Sequence, residues 1–157
     1  MDLRRNDINI REARADDIDA LVAFQQEMAK ETEGKDLNAD LLRRGVQAVF
    51  LSPDKGYYTV AQYQGKVVAG LLITYEWSDW RHATFLWIQS VYVNRQYRRQ
   101  GIYKALHNYL FRIASDRKDI CGIRLYVDHE NTVAQQTYAS LGMTKSHYDM
   151  YEIDFVL

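Results

Sequence analysis

Apolar and polar residues alternate through Ile8, Ile10 and Ala13, the pattern of a short strand with one buried face. The spacing then lengthens. Ile18, Leu21, Val22, Gln25, Met28 and Ala29 fall on one face of a helix. Asp16 or Asp17 can cap it, because a short carboxylate accepts from free N–H groups, and Gly34 ends it. Asn38 can cap a second helix with Leu41, Leu42, Val46, Val49 and Phe50 on one stripe. Ser52 and Pro53 stop that helix, since the residue before proline avoids the helical region.

The period then shortens again. Tyr57 to Tyr63 is rich in β-branched and aromatic residues, Gln64-Gly65 is a turn, and Val67 to Trp77 is the return strand of a hairpin. Ser78 to His82 is a polar loop carrying Trp80. Thr84 to Val93 is nearly all apolar or aromatic and reads as a strand buried on both faces. Asn94 to Gly101 is a basic turn. Ile102, Ala105, Leu106, Tyr109 and Ile113 form a helical stripe that ends near Asp116 to Asp119. Ile123 to Val127 is a further strand. Asn131 opens a helix with Ala134, Tyr138 and Leu141 on one face, closed by Gly142. Met143 to Val156 is expected to form a last strand or strand pair. The order β-α-α-β-β-β-α-β-α-β(β) predicts an α/β protein with one mixed sheet. No repeat, linker or low-complexity segment interrupts it.

Composition narrows the function classes. A chain of 157 residues suits one domain with one core. Its net charge of −1, with both signs mixed along the chain, argues against nucleic-acid binding, which needs a basic stripe. Twelve tyrosines and three tryptophans predict pockets lined by rings that keep a polar handle. The single Cys121 excludes an internal disulfide, suits a reducing, cytoplasmic setting and reads as a small hydrophobe. Met1 to Asp7 is charged and has no apolar stretch, so no signal peptide is expected. Val67 to Ile73, the longest apolar run, is too short for a membrane span. His82, His107, His129 and His147 lack metal-ligand spacing, and no metal is expected.

The chemistry concentrates where the long buried strand feeds the basic turn. The first N–H groups of the helix from Gly101 have no intrahelical acceptor, and the dipole there is positive. A phosphate can be held by those donors. Gly101, without a Cβ, permits close approach, and Arg98 and Arg99 add charge. A solvated basic loop before an amphipathic helix would look the same by these criteria.

Two motifs separate the alternatives. Arg98-Arg99-Gln100-Gly101-Ile102-Tyr103, placed after Val91-Tyr92-Val93, resembles the acetyl-CoA pyrophosphate loop of the GNAT superfamily, Gln/Arg-x-x-Gly-x-Gly/Ala. Leu125-Tyr126-Val127, then Asn131, Ala134, Tyr138 and Leu141-Gly142-Met143, resembles that family's strand–helix unit ending in Tyr-x-x-Leu-Gly-Phe. The order of elements agrees over residues 8 to 155. The resemblance implies a central mixed sheet flanked by about four helices, forming one N-acetyltransferase domain over residues 1–157. It implies acetyl-CoA as co-substrate, held by Val91, Tyr92 and Val93, by Arg98 to Lys104, and by Asn131 and Tyr138.

The implied reaction is direct transfer of the acetyl group to a primary amine, of a small molecule or a peptide. Val91 would supply a backbone N–H to the thioester oxygen, and Tyr138 would be the acid for the leaving thiolate. Asn131 would hydrogen-bond the pantetheine arm, or simply cap its helix. Tyr103 departs from the motif's Gly/Ala, so its ring must point away from the pyrophosphate or cover part of it. For the base, Trp87 and Gln89 occupy the strand positions where some members carry a glutamate. Glu76, Asp79, His82 and a water chain are the alternatives. Glu27, Glu31, Glu33, Asp36 and Asp40 cluster at the first helix–helix junction, which borders the acceptor site in this family, either as a solvated face or as an attractor of a cationic amine. Trp77 and Trp80 could wall that site. Homodimers are frequent in the family. A non-catalytic coenzyme A sensor on the same fold is the second reading.

Overall fold

A computed structural model describes residues 7–156. The charged start of the chain, in which no signal peptide is expected, lies outside the described residues except for Asp7. The backbone divides into two compact units, one ending at Tyr126 and the other beginning at Val127.

The first unit is built on one mixed sheet. Its strands are β1 (Ile8–Glu12), β2 (Tyr57–Tyr63), β3 (Lys66–Ser78), β4 (Ala83–Val93) and β5 (Ile120–Arg124), in that spatial order. The first four run antiparallel, and β5 joins β4 in parallel. The helices are α1 (Ile18–Glu33), α2 (Ala39–Leu51) and α3 (Ile102–Ser115). Leu21 and Val46, from α1 and α2, pack with Tyr58 and Val60. Ile102, Leu106, Leu110 and Ala114 of α3 pack with Ala61, Leu71, Ile73, Leu86 and Ile88. Successive strand residues point to opposite faces, so α1 and α2 cover one face and α3 the other. The nearly continuous apolar run of β4 follows from that double covering.

Local signals explain most boundaries. Asn38 accepts the Leu41 N–H at 2.9 Å and caps α2 as expected. Gly34 ends α1 in the left-handed region, φ 63°. Asp17 departs from expectation: it makes no side-chain cap to α1. Its carboxylate is buried and receives Arg11 Nη1 at 2.7 Å, Arg11 Nη2 at 3.0 Å and the Arg14 N–H at 2.7 Å. A charge taken out of water needs such partners, and Arg11 is the one in reach.

The strand expected over Ile123 to Val127 is displaced. β5 begins at Ile120, where pairing with Thr84 starts, and ends at Arg124 opposite Trp87. The ladder, not the apolar run, sets its limits.

The second unit contains α4 (Thr132–Ser140). The strand or strand pair expected over Met143 to Val156 is not formed: the backbone there has no regular structure. Alternation supplies a face but no ladder, and a strand exists only with a neighbour to bond. Tyr148, Tyr151, Ile153 and Phe155 are exposed in consequence.

Candidate active site

β4 is paired on both edges only in its first half. Its last partner on β5 is Arg124, opposite Trp87, whereas β3 accompanies it to Val93. From Ile88 to Val93 the edge of β4 facing away from β3 has no ladder partner among the described residues. The register against β3 also shifts at this point, from Ile73↔Ile88 to Leu72↔Ser90, which leaves Gln89 as an extra residue. Such a bulge re-aims the backbone locally.

The direction of the Val91 N–H follows from the ladder. Asn94 N–H donates to Val68 O across to β3, at 2.9 Å. Successive residues of an antiparallel strand direct their N–H and C=O groups to opposite edges. Asn94 and Tyr92 therefore face β3, and Val93 and Val91 face the open edge. The bond from Arg98 Nε to Val93 O, 2.8 Å, agrees with that assignment. Val91 thus presents a backbone donor where the sheet has opened.

The basic turn after β4 is tightly shaped. Asn94 Oδ1 accepts the Gln96 N–H at 3.1 Å, and residues Arg95–Tyr97 form one 3-10 turn. Arg99 and Gly101 both adopt left-handed backbone, φ 62° and 81°. That conformation is uncommon for a non-glycine residue and marks a constrained segment. A Cβ built on Gly101 would meet nothing within 4 Å, so open space lies above this backbone. The first bond into α3 is Ala105 N–H to Gly101 O at 3.0 Å. The amides of Ile102 and Lys104 precede it and have no intrahelical acceptor. Open space, bare backbone and a helix N-terminus coincide here and form a cradle of the kind that suits an anion.

Arg98 is not turned toward that cradle. Its Nη2 reaches both carboxylate oxygens of Glu31, at 3.1 and 2.8 Å, and its guanidinium lies 5.1 Å from the Tyr92 ring centroid. Glu31 also receives Arg95 Nε at 2.7 Å and the Tyr92 hydroxyl at 3.0 Å. Burial raises the Glu31 pKa, but the bonds from Arg95, Arg98 and Tyr92 outweigh it and hold the carboxyl below its ordinary range. The sequence did not single out this residue within its acidic cluster, because its partners lie up to 67 positions away. Gln25 likewise joins α1 to β4, donating to Ser90 Oγ at 2.9 Å.

Tyr103 lies beside His107, one turn further along α3, with ring centroids 6.1 Å apart. Its ring is thereby directed along the helix flank. His107 is buried, and burial lowers its pKa.

Glu76 is strongly engaged. Trp87 Nε1 donates to it, and Arg124 Nη1 donates at 2.7 and 3.0 Å. The bond from Trp87 leads, burial opposes it, and Arg124 adds to it; together they hold the carboxyl below its ordinary range. The Arg124 guanidinium also lies 3.6 Å from the Phe85 ring centroid. Asp79 accepts the Trp80 N–H at 2.9 Å, and His82 stands edge-on to Trp77 at 5.5 Å. Trp80 is 90% exposed and Trp77 60%.

In the second unit, Asn131 Oδ1 accepts the Ala134 N–H at 3.1 Å and so caps α4. Tyr138 follows seven positions later on the same helix, two turns on. Burial pushes its phenol pKa up.

The sequence profile of the Acetyltransferase (GNAT) family matches residues 17–143. The chain belongs to the GNAT family. Its solved relatives share the architecture. A possible acetyltransferase from Clostridium difficile 630 is 51% identical, with a TM-score of 0.89 over 96% of this chain and 99% of the other. An aminoglycoside acetyltransferase from an uncultured soil metagenomic sample, in complex with sisomicin, is 17% identical, with a TM-score of 0.75 over 97% and 98% of the two chains. The aminoglycoside N-acetyltransferase AAC(6')-Iy, in complex with CoA, is 13% identical, with a TM-score of 0.76 over 94% of each. At those identities the last two speak for the fold alone. No match is found among the curated proteins.

GNAT acetyltransferases are acyltransferases that use acetyl-CoA, and the bare backbone and helix N-terminus at Gly101 have the chemistry that suits a phosphate. Among the described residues no group of His, Cys, Asp and Glu could hold a metal ion. No helix among them is long and apolar enough to cross a membrane.

Proposed function

We propose that this chain is an N-acetyltransferase that moves an acetyl group from acetyl-CoA to a primary amine by direct attack. The observation that carries the proposal is the open edge of β4 from Ile88 to Val93, leading straight into the left-handed turn at Gly101 and the free end of α3. The edge offers a donor and the turn offers an anion cradle, in the order the reaction needs along one extended ligand.

The amides of Ile102 and Lys104, with the bare backbone of Gly101, would hold the pyrophosphate. When bound, acetyl-CoA supplies a thioester carbonyl open to an amine. The Val91 N–H would donate to the carbonyl oxygen as charge develops there. A preorganised donor of this kind is typically worth about 3–4 kcal/mol in the barrier. Tyr138, its phenol pKa raised, stays protonated at neutral pH. It would give that proton to the sulfur as the C–S bond breaks, and regain one from solvent. The amine must lose a proton as the C–N bond forms. Glu76 is held ionised by Trp87 and Arg124 and is a weak base. We assign the proton to a water path and give Glu76 the task of fixing Trp87 and Arg124.

The test is a thiol-release assay with acetyl-CoA and a panel of amines, comparing primary amines with alcohols of the same skeleton. Acetylated amine formed with one equivalent of free thiol supports the reading. Binding of acetyl-CoA with no transfer to any amine supports a sensor instead.

A further inference from the structure

The arginine that opens the cofactor motif is committed elsewhere, and the residue that commits it is Glu31. We infer that Glu31 is a positioning residue for the cofactor loop: it fixes Arg98 and Arg95 against the end of β4, so that the backbone of the turn, and not these two guanidinium groups, meets the phosphates. The inference rests on the reading of this turn as the cofactor loop.

The geometry makes the tether specific. Glu31 lies in the last turn of α1, and its side chain is 17% exposed. A carboxylate there is disfavoured by the negative end of the helix dipole, so its placement requires compensation. Three donors supply it: Tyr92 Oη, Arg95 Nε and Arg98 Nη2. They come from β4 and from the turn itself, so one carboxylate ties α1, β4 and the turn together.

Arg98 is held on three sides, by Glu31, by Val93 O through its Nε, and by the face of the Tyr92 ring. A guanidinium fixed in this way braces the turn, in which Arg99 holds an unfavourable left-handed backbone. The bracing keeps the Gly101 cradle open before any ligand arrives. Ligand binding then costs less ordering of the loop.

The arginines are exposed, but three donors converge on one largely covered carboxylate, and such a charge-assisted network differs from an isolated surface ion pair, which contributes little. Its loss should therefore be measurable. A competing arrangement is that Glu31 merely shields the arginines and releases them to the phosphates. The two arrangements give opposite signs.

The experiment compares wild type with Glu31→Ala, Glu31→Gln and Glu31→Asp. It measures desulfo-CoA binding by calorimetry, and amide hydrogen exchange over residues 95–104 in the ligand-free protein. The inference expects Glu31→Ala to bind desulfo-CoA about tenfold more weakly, as for the loss of one charge-assisted bond. It also expects faster exchange of the turn, a rise in the KM for acetyl-CoA that exceeds the fall in kcat, and partial rescue by Asp. Unchanged exchange, or equal or tighter binding by Glu31→Ala, overturns it. A wild-type protein that does not bind desulfo-CoA overturns the cofactor reading itself, and this role with it. Wild-type binding left unaltered by Glu31→Ala overturns the positioning role alone.

Discussion

Arg124 places one nitrogen, Nη1, on both carboxylate oxygens of Glu76, at 2.7 and 3.0 Å, across the end of the β4–β5 pairing. Trp87 completes the set from the strand between them. This arrangement argues against Glu76 as the base. Removing a true general base costs about 100- to 10,000-fold in rate. Glu76→Gln is expected to lower kcat/KM by less than about tenfold and to leave the shape of its pH profile unchanged. A loss in the larger range, with the fall in activity at low pH abolished, would restore Glu76 as the base.

Tyr138 is assigned to the leaving thiolate. Tyr138→Phe removes the proton and keeps the ring. Turnover is expected to fall by about 100-fold or more, with desulfo-CoA affinity unchanged by calorimetry. Because burial raises the phenol pKa, its protonated form persists beyond the ordinary value of ~10. The acid should therefore remain competent throughout the neutral and mildly alkaline range, and wild-type activity that falls near pH 7–8 with the loss of this proton would remove the assignment.

Gly101 sits at φ 81° with open space above it. Gly101→Glu puts a side chain and a negative charge into the cradle. Cofactor binding should be lost while the circular-dichroism spectrum is kept, with the melting temperature lowered by a few degrees because a side chain at positive φ is strained. Normal binding by this variant would mean that the phosphates go elsewhere.

Much of the fold is legible in the sequence because it depends on local signals. Asn38 caps, Gly34 terminates, and Gln64-Gly65 turns, each through its own backbone chemistry. The site divides differently. The basic turn is visible because Arg98, Arg99 and Gly101 lie within four successive residues. Glu31 is not, since what distinguishes it from Glu27 or Glu33 is two ion pairs, with Arg95 and Arg98, made across the fold. Glu76 reads in the sequence as one candidate base among several near the end of a strand, and it gains its partners only when β3, β4 and β5 align. The tail illustrates the converse: Tyr151, Ile153 and Phe155 carry a strand's alternation, but no ladder forms around them.

Asp17 and Arg11 provide a test of stability that is independent of function. The bond from Arg11 leads in lowering the Asp17 pKa; burial opposes it, and the Arg14 N–H assists. A depressed carboxyl contributes stability that is present above its unfolded pKa of ~3.9 and is lost as pH falls through the folded value. Asp17→Asn is expected to cost about 2 kcal/mol in urea unfolding at pH 7, because it strands a partly buried guanidinium. The difference from wild type should shrink below pH 4. A difference that stays constant with pH would contradict the ion-pair account.

Gly56 lies where β2 begins, with φ 141°, and a Cβ there would stand 1.9 Å from Ile73 O. Neither the backbone angle nor the carbonyl can yield cheaply. Gly56→Ala should destabilise the protein by about 2 kcal/mol or more, read as a fall in the urea midpoint with an unchanged slope. An unchanged midpoint would mean that the β2–β3 pairing is looser than described.

Calorimetric titration with acetyl-CoA, with desulfo-CoA and ATP alongside, tests the central claim most directly. The account expects micromolar binding of both coenzyme A compounds and none of ATP. No binding of acetyl-CoA at millimolar concentration would contradict it, and the transferase and sensor readings would fall together.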